Sequence, residues 1–571
     1  SSDLKRSECG NIAASEDSFF VAVGDKCLRL DAETGQTRKS YNMPASENGS
    51  NRWGYLAYVD GVIYGSTMKQ TGVSDSIFAI DTQSGETLWN HRGTNIVNLT
   101  IALGDGWLFF IDSSLTPQQR EQLLQQDKSH LMNLSSEEIK KAEAAQKKLD
   151  VRLAVALDAQ TGGKLWEKAV DVTDCSKIGI GGGELTAMYR DGVVVLCGAN
   201  ANGHYWRQFL SGEFSNRRLV ALSSQNGEVL WAKDANYRHR PLIIGGMVLA
   251  EPWAFDLKTG QQRTRNHPLT GAETPWQFLR PGHHCGAISA CQQMLLMRSG
   301  YTSYYDLQND SGVRHFAGHR LGCWINAIPA DGLVLAPEAS AGCICLFPIV
   351  CSIALEPRPD YDRWGIYSNG AANTPVQHMA INLGAPGDRR DTNGTLWFGY
   401  PRPGLPGDRA AMGFSLRMGM NFLKEPEYPR ENSKADAMNR TDTPWLFASC
   451  ARGLKRCVMP LLSESDEPAE YTVRLYFTDF DNEQAGKRIF NIKLQGKVVL
   501  DNFDIARQAG GHGKALVRQF QGIAVKDNLV IELLPQNNNL LSKNSLPVLC
   551  GVEVLRERKT KNIAAAVNAR Q

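Results

Sequence analysis

The sequence predicts an all-β chain in two parts, a radial array of small antiparallel sheets followed by an antiparallel β-sandwich, and three observations carry that prediction. A degenerate bend, in which an apolar strand runs into Asp, then a few polar residues, then Gly, recurs from Leu30 to Gly312. From about Gly370 the bend disappears, and apolar and polar residues alternate with the period of a half-buried strand. The chain also carries 53 glycines and 12 tryptophans with 42% hydrophobic residues, a composition suited to many tight turns and to aromatic plugs between short strands.

The bend is visible six times. It reads Leu30-Asp31-Ala32-Glu33-Thr34-Gly35, Ile80-Asp81 to Gly85, Leu157-Asp158 to Gly162, Leu222-Ser223 to Gly227, Phe255-Asp256 to Gly260, and a stretched copy from Tyr305-Asp306 to Gly312. Asp can bond its own backbone to start such a turn, Thr or Ser supports it, and Gly supplies the positive φ, so each copy is a hairpin. Trp89, Trp166 and Trp231 follow three of the turns on the outgoing strand, where a flat ring can fill the seam between neighbouring sheets. Such a sheet buries neither face alone, so the copies must stack around an axis as propeller blades.

The Asp-x-x-Thr-Gly-x-x-x-Trp turn resembles that of the quinoprotein-like (PQQ-like) propeller family, from about Phe19 to Pro357. The resemblance implies a seven- or eight-bladed propeller. The seventh blade lacks the turn and is expected around Leu333–Leu335 and Ile344–Leu355, and an eighth would be completed by the N-terminal strand or a missing segment. The stretch from His283 to Pro357 looks like a subgroup of secreted multidomain propeller proteins of planctomycete-type bacteria. About 35 residues rich in Gln, Glu and Lys interrupt the pattern near 115–150. Thr116-Pro117 is a helix start and Ser135 with Glu138 a capping box, which predicts a helical hairpin on a propeller loop, either a solvated decoration or a docking arm.

Residues 1–357 are thus the expected propeller. The two prolines of Glu356-Pro357-Arg358-Pro359 open a stiff linker over 358–371, and a sandwich is expected over 372–557, with a basic tail at 558–571. The sandwich segment resembles a malectin domain in Ala380–Gly384, Tyr471–Phe477, Arg488–Gly496, Phe503–Ile505 and the closing strand Val548–Val554. That resemblance implies sugar binding on aromatic rings and an aspartate in loops at one end of the sandwich. A gap-free match of Tyr476-Phe477 and Arg488–Phe490 places Asp481 and Asn482 where the family has a Tyr-Phe pair. Trp397, Phe398 and Tyr400 are the candidates for another aromatic platform.

The densest chemical cluster is His283-His284-Cys285, His319-Arg320, Cys323-Trp324 and Cys343-x-Cys345. Imidazole and thiolate are ligands of zinc, copper or iron, so His283, His284, Cys285, Cys323, Cys343 and Cys345 could hold a single metal ion. In an oxidising compartment the four cysteines would instead form two disulfides tying adjacent blades, and a third alternative is that they stay free as buried thiols. His283, His284, Arg320 and Glu338, with Arg240, Glu251 and Arg298 nearby, could also line a polar pocket in which a histidine serves as general base for sugar cleavage.

Other chemistries are disfavoured. No two cysteines are adjacent, unlike the quinone-stacking pair of quinoprotein alcohol dehydrogenases, so bound pyrroloquinoline quinone is not expected. The Cys-x-x-Cys-His of covalent c-type haem is missing, as are phosphate-cradling glycine loops in a strand-to-helix context. Lys+Arg 62 against Asp+Glu 60 leaves no basic field for nucleic acid. The longest apolar run, Cys343–Leu355, contains Pro348 and is too short for a membrane span. Thirteen cysteines and a start at Ser1 without Met suggest a processed, periplasmic or secreted protein, and a partner could be another fragment of the same precursor. The leading expectation is a binding or scaffold protein that contacts protein partners or cell-surface glycans. The competing one is a carbohydrate-active lyase or hydrolase, and a quinone- or metal-dependent redox protein ranks third.

Overall fold

The structure is a computed structural model. It describes residues 12–45, 52–113, 135, 137–138, 149–175, 185–198, 217–237, 239–282, 288–316, 319–321, 326–337, 351–357, 364–402, 417–431, 441–536 and 541–558. The chain divides into two compact units, Ser1–Arg263 with Cys285–Ile288, and Thr264–His284 with Ser289–Gln571. Both are built of β-strands.

In the first unit the strands form antiparallel meanders in chain order. One is Ile12–Ala14, Ser18–Val23, Lys26–Asp31 and Thr37–Asn42, and another is Leu185–Arg190, Val193–Gly198, Arg218–Ser223 and Val229–Asp234. The expected bends are all hairpin turns. In the first, the Asp31 carboxylate accepts the backbone N–H groups of Glu33 and Thr34 at 3.0 and 2.7 Å, and Gly35 takes φ 71°. Asp81, Asp158 and Asp256 repeat that pattern.

Past each turn the ladder slips by one residue, at Arg38, Leu88, Leu165 and Leu230. A bulge of this kind twists the strand and re-aims the side chain that follows. Here it sends the tryptophan onto the next turn. Trp89 Nε1 donates to the Ala159 carbonyl (3.0 Å), Trp166 Nε1 to Ser224 (2.6 Å) and Trp231 Nε1 to Leu257 (2.9 Å). In the first sheet the Tyr41 hydroxyl does the same to Thr82 (3.0 Å). Each ring therefore fills the seam and also satisfies a carbonyl of the neighbouring turn.

The helical insertion lies almost wholly outside the described residues. At its one described point the capping box is present, with Glu138 Oε2 accepting from the Ser135 backbone N–H at 2.8 Å.

The second unit opens with the hairpin Thr264–Asn266 and Glu273–Pro275. Then come the four-stranded sheet Ser289–Cys291, Met294–Ser299, Tyr301–Asp306 and Val313–Phe316, and a three-stranded one in which Leu333–Ala336 pairs with Ile353–Leu355. Residues 364–371, expected as linker, are anchored. Ile366 pairs with Val313, and the Gly370 N–H donates to the Gln277 side chain at 2.7 Å.

The sandwich has two six-stranded sheets. Alternation along Ala469–Phe477 and Ile489–Leu494 turns Tyr471, Val473, Leu475, Phe477, Phe490, Ile492 and Leu494 into one core. One pairing departs from the antiparallel expectation: His378–Leu383 runs parallel to Leu396–Tyr400.

Candidate functional site

The sandwich has a small cleft of about 20 Å³, room for a single small group, at the loop end reached by the strands Ala469–Phe477 and Ala451–Pro460. After Phe477 the chain turns on Asp479, whose carboxylate accepts the N–H groups of Asp481 (3.0 Å) and Asn482 (3.1 Å). Arg488 occupies an inward register position just ahead of Phe490, Ile492 and Leu494 and is 1% exposed. Its guanidinium is in close contact with Asp479, donates to Asp481 at 2.8 Å, and caps the carbonyls of Leu546 (2.7 Å) and Lys543 (2.9 Å). Arg452, on the strand Ala451–Pro460, bridges Glu427 (2.8 Å) and Asp481 (3.1 Å).

A charge taken out of water persists only with partners of this kind. Burial pushes Asp481 up, but Arg488, Arg452 and Lys543 outweigh it and hold the carboxyl below its ordinary range. Asp481 is thus a fixed anion rather than a proton donor. Above this network the cleft is walled by Pro429, Phe447, Cys450 and Phe480. Two lining groups, the Thr478 hydroxyl and Arg452 Nε, are buried without a hydrogen-bond partner among the described residues. An orphaned buried polar group costs about 1–3 kcal/mol, which a ligand atom could recover.

The sequence candidates fall in different places. Asp481 lies in this cleft. Asn482 stands beside it, its amide donating to Asp479 and to the Asn544 carbonyl, both at 2.9 Å. Trp397, Phe398 and Tyr400 share one strand, and its alternation puts the Trp397 ring on one face and those of Phe398 and Tyr400 on the other. Phe398 is in the sandwich core at 1% exposed. Trp397 faces the opposite side, 3% exposed, edge-on to Tyr476 and Trp445, with its indole N–H on Asp391 (3.1 Å). Tyr400 is half-buried and donates to the Met418 carbonyl at 3.2 Å.

His283, His284, Cys285, Cys323, Glu338, Cys343 and Cys345 lie outside the described residues. Arg320 is buried, and the neighbouring His319 ring bonds the Thr302 hydroxyl at 2.7 Å. Burial, and then Arg320, lower the pKa of His319. In the first unit His239 and Glu251 are both buried, 3.9 Å apart. Among the described residues no three metal-ligating side chains converge, and the eight described cysteines are free thiols.

Sequence reasoning missed Arg452, Arg488 and Thr478. For Arg488 a signal existed, since period-two alternation places its charge on the inward face.

A family model described as a malectin domain matches residues 426–549, and one described as outer membrane protein assembly factor BamB matches 150–295. A probable LRR receptor-like serine/threonine-protein kinase of Arabidopsis thaliana is 41% identical over 61 residues, 10% of this chain and 6% of that protein. A probable receptor-like protein kinase of the same plant is 30% identical over 103 residues, 18% of this chain and 12% of that one. The chain therefore spans only a small part of these relatives. Among solved structures, BamB from Moraxella catarrhalis is similar at 12% identity and TM-score 0.35, covering 62% of this chain and 84% of that one. The ANX2 ectodomain from Arabidopsis thaliana is similar at 13% identity and TM-score 0.25, covering 32% and 50%. The chain is all-β, with PQQ-like propeller sheets and a malectin-type sandwich.

Proposed function

We propose that the chain is an extracytoplasmic binding or scaffold protein, secreted or periplasmic, whose sandwich loop end contacts a glycan or a peptide segment and admits one of its polar groups into the cleft, while its propeller sheets offer a second contact surface. The observation that carries this reading is the pair of unpartnered buried groups, Thr478 Oγ1 and Arg452 Nε, lining a cleft between Phe447 and Phe480. A hydroxyl and an N–H donor beside aromatic walls suit a sugar hydroxyl or a peptide carbonyl. Binding is favoured over sugar cleavage at this cleft because Asp479 and Asp481 are both committed to arginines. Among the described residues no helix is long and apolar enough to cross a membrane.

The test is a glycan and peptide array with the purified chain, followed by calorimetry on Thr478→Val. Loss of a hit's affinity by about tenfold, the effect of one buried hydrogen bond, supports the cleft. An unchanged affinity removes it.

A further inference from the structure

The second unit contains a turn that departs from the Asp pattern. In His267-Pro268-Leu269-Thr270-Gly271 the His267 ring stands where the Asp turns have a carboxylate. Its Nδ1 accepts the N–H groups of Leu269 and Thr270, both at 3.3 Å. The Gly271 N–H donates to the His267 carbonyl and the His267 N–H to Ala272, both at 2.8 Å, as Gly35 and Asp31 do in the first turn. A nitrogen that accepts two N–H bonds carries no proton, so these two ring bonds exist only with the neutral ring.

The tip of this turn enters the sandwich. Leu269 is 1% exposed and belongs to the sandwich core, and its carbonyl accepts from the N–H groups of Gln377 (2.7 Å) and His378 (3.2 Å). We infer that the hairpin Thr264–Pro275 is an acid-released plug: protonation of His267 turns its acceptor into a donor facing two donors, opens the turn, and withdraws Leu269 from the end of the sandwich core.

The charges around the ring favour release on protonation. Arg265, on the same hairpin, is the cation that bears on His267. It is held by Asp310 at 2.5 Å and lies over Tyr367, with Tyr305 in reach. On the sandwich side the titratable neighbour is His378, whose ring is bonded to Glu553 at 2.9 Å. Burial and then Arg265 push His267 down to about 4. The folded value lies below the ordinary 6.5, so the opened state takes up the proton first, and closure is lost as pH falls from 6.5 to about 4.

Hydrogen exchange on the full chain tests this. Between pH 7 and pH 4, protection of the amides of Leu269, Thr270, Gln377 and His378 should fall by up to about a hundredfold, while the Asp158 and Asp256 turns keep theirs. His267→Asn and His267→Asp, which retain an acceptor at that position, should hold the plug closed at pH 4 to 5. The inference fails if these amides stay protected at pH 4, if every turn loses protection together, or if the variants open at the same pH as the parent chain.

Discussion

The indole of Trp231 lies over Gly260, where an added β-carbon would come within 2.7 Å of the ring, and its Nε1 donates to the carbonyl of Leu257 at 2.9 Å. Trp89 over Gly162 and Trp166 over Gly227 repeat the arrangement. The glycine of the bend therefore answers two demands at once, a positive φ and a flat surface for the neighbouring sheet's ring. Gly260→Ala would pay the left-handed backbone penalty of about 1–2 kcal/mol and also displace the ring. Trp231→Ala would cost about 3–5 kcal/mol through the cavity it leaves. Urea unfolding followed in the first unit should show both losses.

How far this was legible depends on distance along the chain. The Asp-x-x-Thr-Gly bend is local chemistry, so Asp31, Asp81, Asp158 and Asp256 announce their turns. The seam contact joins Trp89 to Ala159 across 70 positions, and only the fold brings them together. The His267 turn was hidden because a ring nitrogen does a carboxylate's work there, although Thr270-Gly271 preserves the rest of the pattern. At the sandwich, strand alternation sends the adjacent Trp397 and Phe398 to opposite faces, so they form no single platform. The Arg452–Asp481–Glu427 bridge depends on strand neighbours that one sequence does not reveal.

Arg488 should be the least replaceable residue of the cleft. Arg488→Leu would strand Asp479 among buried surroundings and leave Asp481 to Arg452 and Lys543, and removing one partner of a buried pair costs about 3–5 kcal/mol. Thermal unfolding at pH 7 should show a lower transition for the sandwich. The double replacement Arg488→Leu with Asp479→Leu should recover part of the loss.

Glu553 makes acid stability of the sandwich measurable at one residue. Burial pushes its carboxyl up, but His378, Tyr476 and Arg474 overcome this and hold it at about 2, below the ordinary 4.5. A depressed folded value contributes stability above pH 4.5 that is lost as pH falls toward 2, in all about 3 kcal/mol. Glu553→Gln should be less stable than the parent chain at pH 7. Between pH 4.5 and pH 2 that gap should shrink, as read by urea midpoints at each pH.

His315 bears on the sheet that contains Asp306. Burial pushes this ring down to about 4, so between pH 6.5 and about 4 it is neutral when folded and takes up a proton when the sheet opens. Its contribution is present above pH 6.5 and is lost as pH falls to 4. His315→Phe should flatten that part of the pH–stability curve, measured by thermal melts across it.

The central claim is that ligand enters the loop end of the sandwich between Phe447 and Phe480. The most direct measurement is a hydrogen-exchange footprint of the full chain with the tightest array hit. Slowed exchange concentrated at residues 447–452 and 478–482 is the predicted result. A footprint confined to the propeller sheets, with those segments unchanged, would contradict it.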